Sequence, residues 1–178
     1  MLDPALSLLI GGALALLFAN AAWHKLRDLR AFRGLFEAYQ LVAPRAGGVA
    51  VLVPLLELLI ALGLLVPSTR GLAAGAGAAL LFVYALALAV NLRRGRHELS
   101  CGCGGFAERQ PIARWMVLRN LVLATALAAS ASVAARPLQP VDGLTIGVGV
   151  LVAALLYASI DRLLGQLGPR SLALRDRA

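Results

Sequence analysis

Val49-Ala-Val-Leu-Val-Pro54-Leu-Leu-Glu57-Leu-Leu-Ile-Ala-Leu-Gly63-Leu-Leu-Val66 carries one ionisable side chain, Glu57, in an otherwise apolar run. A helix needs about 20 such residues to cross the hydrocarbon of a bilayer. Four more apolar blocks flank this one, running roughly over Leu6–Trp23, Gly71–Asn91, Trp115–Ala135 and Gly143–Ile160. The chain is 60% hydrophobic and 15% charged, with a mean hydropathy of +0.82. A soluble domain of 178 residues cannot hide that much apolar surface. The sequence therefore predicts an all-α, polytopic integral membrane helical bundle of about five transmembrane helices, one domain over residues 1–178.

Glu57 falls near the middle of its span. A carboxyl group there costs roughly 2.5–3.5 kcal/mol to insert. It must be neutral, paired, or facing a polar cavity. The functional readings are proton handling or contact with a quinone headgroup. The structural reading is a buried hydrogen bond to a neighbouring span through Asn20, Tyr84 or Asn120. Pro54, one turn earlier, is expected to bend this helix.

The first block imitates a signal peptide, because Ala19-Asn20-Ala21 looks like a cleavage site. It lacks a basic leader, having only Asp3 ahead of the apolar run. It reads as a retained helix, with Asp3 as its cap and Pro4 in its first turn.

The net charge is +8, from 17 basic and nine acidic residues. In a soluble protein that excess would suggest nucleic acid. Its distribution gives another meaning. No basic residue precedes the first span. Five lie in the first loop, six in the third loop and the start of the fourth span, and four in the tail. The second and fourth loops hold one each, Arg70 and Arg136. Fifteen thus fall on one side and two on the other. The positive-inside rule puts the N-terminus outside and the C-terminus inside. The charge is a topology signal, with the lipid bilayer and its anionic headgroups as neighbours rather than nucleic acid.

The loops carry structure of their own. Ala31–Val42 places Phe32, Leu35, Phe36 and Tyr39 at helical spacing, with Arg33, Glu37 and Gln40 on other faces. That pattern predicts a short amphipathic helix in the interface, or one packed on the end of the bundle. Gly71-Leu-Ala-Ala-Gly75 and Gly143-Leu-Thr-Ile-Gly147 have the spacing that lets helices approach closely, within the chain or between copies.

The third loop, 92–114, holds Ser100-Cys101-Gly-Cys103-Gly-Gly-Phe106, with the only two cysteines of the chain. A bridge one residue apart closes almost no loop and restrains little of the unfolded chain. It suits chemistry better. Two such sulfurs exchange electrons as dithiol and disulfide, or share a metal, and a bridge in so small a ring is strained and labile. His97 would complete a three-ligand set with Cys101 and Cys103, and soft thiolates suit copper(I) or zinc.

Alternation of spans puts His24, Lys25, Cys101, Cys103, Trp115 and Arg119 on one membrane face. A cation near a thiol raises the reactive thiolate fraction. Lys25 and Arg119 are the candidates, and His24 is placed to pass a proton. The alternative is that Lys25 and Arg119 snorkel to headgroups while Trp23 and Trp115 sit in the aromatic belt.

Several of these stretches resemble a known family. Trp23-His-Lys-Leu-Arg-Asp-Leu-Arg-Ala-Phe32, followed by Tyr39-Gln-Leu-Val-Ala-Pro44, resembles the first loop of the DoxX-like membrane proteins. Pro54-Leu-Leu-Glu57 with Gly63-Leu-Leu resembles their second span. Ser100-Cys-Gly-Cys-Gly-Gly-Phe106, then Pro111-Ile-Ala-Arg-Trp115 and Arg119-Asn120, resembles the MauE branch, the methylamine-utilisation redox-associated proteins. The resemblance covers residues 5 to 135. It implies a four-helix core plus one C-terminal span in a bacterial inner membrane. It also implies a thioredoxin-like partner and an extracytoplasmic client enzyme, the disulfide-rich small subunit of methylamine dehydrogenase. Cys101 and Cys103 would be the redox pair, and Lys25, Glu57, Arg119 and Asn120 match recurring positions. This chain has Cys-Gly-Cys-Gly-Gly-Phe where Cys-Gly-Cys-Phe-Gly is usual, so its loop is looser.

Three functions follow as alternatives: a thiol–disulfide redox protein, a Cys/His metal-handling protein, and a transporter or scaffold subunit with an inert thiol loop. The charge rule puts the cysteines on the cytoplasmic face, whereas the implied client is outside. One cysteine pair does not relay electrons across a bilayer. The first reading therefore needs a pair reachable from the other face, or a quinone or partner to complete the route, or the opposite orientation.

Overall fold

The computed structural model describes residues 2–40, 44–99, 111–132, 137 and 139–175. Cys101 and Cys103 lie outside the described residues. Leu- and Ala-rich stretches favour helix, and among the described residues every regular element is helical. The order is α1 (Pro4–Arg27), α2 (Leu29–Ala38), a 3-10 helix (Pro44–Val51), α3 (Leu52–Leu65), α4 (Arg70–Arg93), α5 (Arg114–Ser130) and α6 (Pro140–Arg175).

Local chemistry sets the first helix ends. The Ala5 N–H donates to Asp3 Oδ1 at 2.8 Å, and Pro4 takes the first helical position. Asp28 ends α1 and opens α2, its carboxylate accepting from Ala31 N–H at 3.0 Å. α2 keeps Phe32, Leu35 and Phe36 half-buried and Arg33 and Glu37 exposed. It is the amphipathic helix expected of the first loop, ending at Ala38, with Gln40 at φ 48.

Helices α1, α3, α4 and α5 close a ring in which α1 packs on α3, α3 on α4, α4 on α5 and α5 on α1. Helix α6 lies outside that ring against α1. The core is a column of Leu14, Phe18, Ile60, Leu64, Leu81 and Leu127, filled out with alanines. Large apolar side chains such as Leu16, Leu59, Leu72 and Leu118 point outward. In water that surface would aggregate; in a bilayer it meets lipid tails.

Among the described residues, four helical stretches are long and apolar enough to cross a membrane: Pro4–Arg27, Gly48–Leu65, Arg70–Arg93 and Pro140–Ile160. The expected fourth span, α5, has 17 residues, about 26 Å at 1.5 Å per residue. It is tied to the start of α1 at one end and packs on α4 at the other. Ser7 Oγ donates to Ser130 O at 2.8 Å and Leu2 N–H to Ser132 O at 3.0 Å at one end, and Met116 packs against Leu88 at the other. Of the five expected spans, four are thus helices long and apolar enough to cross a bilayer and the fifth is a shorter helix in the ring.

Pro54 lies in the first turn of α3, directly after the 3-10 stretch, where its missing N–H costs little. α6 continues past Asp161 to Arg175, through residues that include good helix formers such as Leu, Gln and Arg. One expectation needs correction: the intramolecular close contacts expected of Gly71, Gly75, Gly143 and Gly147 are missing, since a Cβ at any of them meets nothing within 4 Å.

Other glycines make the close contacts. A Cβ at Gly77 would stand 2.6 Å from Leu127 Cδ2, 3.1 Å from Ile60 Cγ2 and 3.2 Å from Phe18 Cε2. All four ring helices meet there. Gly149 and Gly12 admit Leu9 and Val150 in the same way and dock α6 on α1. Gly77→Val should therefore lower stability by about 1–3 kcal/mol through overpacking, whereas Gly75→Ala should leave it near wild type. Thermal unfolding in detergent compares the two, and equal midpoints would refute this packing.

Candidate functional site

The polar interior is concentrated at one end of the bundle. Lys25, in the last turn of α1, is 5% exposed and turns inward. Its ammonium forms an ion pair with Glu57 Oε1 of α3. Tyr84 OH of α4 donates to the same oxygen at 2.7 Å. Lys25 Nζ also lies 5.1 Å from the centre of the Tyr84 ring and 5.4 Å from that of Phe32, within cation–π range. Glu57 Oε2 is buried with no hydrogen-bond partner among the described residues. Lys25 therefore does not snorkel outward. Its charge is balanced inside the ring.

Toward the same end, Asn91 is fully buried and donates to Ala87 O at 3.0 Å. Asn120 is buried and donates to Met116 O at 2.8 Å. The Arg119 guanidinium lies 5.3 Å from the Trp115 ring and 5.7 Å from the Tyr157 ring of α6. It joins α5 to α6 through aromatic faces. Trp115 is half-buried beside it, whereas Trp23 is 66% exposed. His24 is half-buried at the end of α1.

The segment that holds the cysteines leaves and rejoins the described fold at one point. Ile112 N–H donates to Leu99 O at 2.9 Å, closing a neck. The neck rests on a second apolar cluster of Leu88, Ile112 and Met116, flanked by Tyr39, Leu92, Leu99 and Trp115. Burial pushes the Tyr39 phenol up to about 12, so it stays protonated at neutral pH. Arg94 and Arg96 hold the end of α2, donating to Gln40 O and Ala38 O at 3.3 Å each, with a further contact from Arg96 to Gln40 Oε1.

His24, Lys25, Trp115, Arg119 and both sides of the neck thus share one end of the bundle, as alternation of spans requires. His97 is exposed on the turn after α4. Among the described residues no three His, Cys, Asp or Glu side chains gather to hold a metal, and the two cysteines of the His97 set are not among them.

Sequence reasoning named Tyr84 among Glu57's partners and missed Lys25. The signal was present. Lys25 is the only lysine among 17 basic residues, and Glu57 the only acidic residue within the five apolar blocks. Asn91 was also missed, because a lone asparagine at the end of a span carries no distinguishing pattern.

The comparisons with known proteins agree with one another. A family model described as methylamine utilisation protein MauE matches residues 3–135, the four-helix ring without α6. The methylamine utilization protein MauE of Paracoccus denitrificans is 42% identical over 156 residues, covering 85% of this chain and 83% of its own. Those of Methylophilus methylotrophus and Methylorubrum extorquens are 37% and 34% identical, over 92% and 86% of this chain and 88% and 82% of theirs. No solved structure matches. On the family match and these relatives, the chain belongs to the MauE family.

Proposed function

We propose that this protein is an integral membrane thiol–disulfide redox protein, with Cys101 and Cys103 as the couple. It assists disulfide formation in an extracytoplasmic client through a thioredoxin-like partner. The client class is an enzyme subunit of methylamine utilisation, after the names of the relatives. The observation that carries the reading is the neck. The only two cysteines of the chain lie in a segment whose ends are tied together by Leu99 and Ile112. Such a segment is held at its base.

The reaction is exchange. A thiolate of the reduced partner attacks one sulfur of a Cys101–Cys103 disulfide and releases the other as thiolate. The partner's second thiolate then breaks the mixed disulfide. The partner leaves oxidised by two electrons, this chain is reduced by two, and no net proton is taken up. The reverse sequence delivers electrons. Glu57, Lys25, Arg119, Asn120 and His24 support the couple in this reading, although Lys25 has its charge matched by Glu57. Arg119 lies between the Trp115 and Tyr157 rings at the same end of the bundle.

The location is a bacterial inner membrane, with the N-terminus outside and the C-terminus inside by the charge rule. Thiol trapping in intact cells tests both the chemistry and the side. The pair should resist a maleimide until reduced and label afterwards. Labelling by a permeant reagent alone puts it on the cytoplasmic face, and labelling by an impermeant one reverses the orientation. Thiols that are free without reduction, under all growth conditions, would sink the redox reading.

A further inference from the structure

We propose that Lys25, Glu57 and Tyr84 form a positioning site that sets the reactivity of the cysteine pair from within the membrane. The inference rests on the thiol reading above and adds residues that do not themselves react.

Two arms run from this site and converge on the neck. The first follows α4. Tyr84 is fixed by its bond to Glu57 Oε1, and one turn later Leu88 lies against Ile112 and Met116. Ile112 is the residue that closes the neck. The second arm follows α2. Lys25 draws the Phe32 ring to 5.4 Å, and Phe32 meets Phe36 with centroids 6.3 Å apart. Tyr39, at the end of the same helix, packs on the Leu88–Ile112–Met116 cluster. Arg96 then ties the turn after α4 to the end of α2.

A single carboxylate oxygen thus fixes α1, α3 and α4 in mutual register, and both arms transmit that register to the base of the cysteine segment. Coupling of this kind travels through packed side chains and helices, and only a measurement of coupling establishes it. The placement also explains an asymmetry. Among the described residues the other buried polar pair, Ser7 with Ser130, lies at the far end of the bundle and forms one short bond. An ion pair serves mere helix adhesion no better than such a bond. It is concentrated where the cysteine segment is anchored.

The test uses the full chain in lipid nanodiscs, with two readouts. One is the rate of maleimide reaction with the reduced thiols. The other is the equilibrium between dithiol and disulfide in glutathione buffers. Tyr84→Phe removes one hydroxyl and keeps the ring, so it folds. Glu57→Gln removes the charge. Ser7→Ala breaks the distant hydrogen bond as a control for general loosening.

Tyr84→Phe and Glu57→Gln should shift both readouts on the order of 2- to 30-fold, with Ser7→Ala at the wild-type value. Wild-type values in Tyr84→Phe and Glu57→Gln overturn the positioning role, as does an equal shift in Ser7→Ala. If the wild-type pair forms no disulfide at any glutathione ratio, the redox reading fails by itself. The maleimide rates still decide whether the buried cluster positions the thiols.

Discussion

Cys101→Ser and Cys103→Ser should each abolish maturation of the client, to the level of cells lacking the protein. The reason is stoichiometric. The couple stores two electrons as two sulfurs, and a lone thiol holds no disulfide for the reduced partner to attack. With an oxidised partner the lone thiolate proceeds only to the mixed disulfide, because no neighbouring thiolate of this chain is left to complete the exchange. One of the two variants should therefore accumulate a partner adduct, seen on a non-reducing gel and lost on reduction. Which variant traps it identifies the sulfur that faces the partner. The metal reading predicts a different pattern. Both serine variants and His97→Ala would lose bound copper or zinc together, and no adduct would form. Full maturation in both serine variants, with no adduct, would leave the pair without a redox role.

Much of the fold was legible because a bilayer imposes simple rules. A block of about 20 apolar residues has few alternatives to a spanning helix, and among the described residues four of the five expected blocks are helices long and apolar enough to span. The α5 block was harder to bound, because its alanines and serines continue past the point where the described helix ends at Ser130. Helix contacts were misread for a related reason. Small-residue spacing is dense in Gly- and Ala-rich spans, and only three-dimensional packing shows that Gly77 sits where the ring closes, while Gly71 and Gly75 meet nothing. At the site, the cost of burying a carboxylate singled out Glu57 and its need for a partner. Its pairing with Lys25 required the depth of one helix relative to another, and loop geometry sets that depth. The choice of lysine is informative in retrospect. Lysine is a compact charge on a flexible stem, and it reaches one oxygen between two rings where the planar fork of arginine needs more room.

Lys25→Met alone and Glu57→Leu alone should each destabilise the bundle by about 3–5 kcal/mol, and the double variant should recover most of that loss. Each single change leaves an uncompensated charge. Lys25 is 5% exposed and Glu57 is fully buried, so water does not screen what remains. In Glu57→Leu, the Tyr84 hydroxyl also loses its acceptor, which adds about 1–3 kcal/mol for an unsatisfied buried donor. Lys25→Met keeps that bond and should be the milder of the two. The double variant replaces an ion pair with apolar groups of similar length, an exchange that is often neutral or stabilising in protein interiors. Only the Tyr84 hydroxyl then lacks a partner, and adding Tyr84→Phe should remove that last deficit. Unfolding of the four variants in detergent closes the cycle, and a large favourable coupling is the expected result. Additive losses would mean that Lys25 and Glu57 stabilise the ring independently. If the pair serves only adhesion, the triple variant mends function along with stability. If it positions the neck, the triple variant folds as well as wild type and still shows altered thiol reactivity. Stability without function in that variant would be the clearest sign that the ion pair is kept for the cysteine pair rather than for the fold.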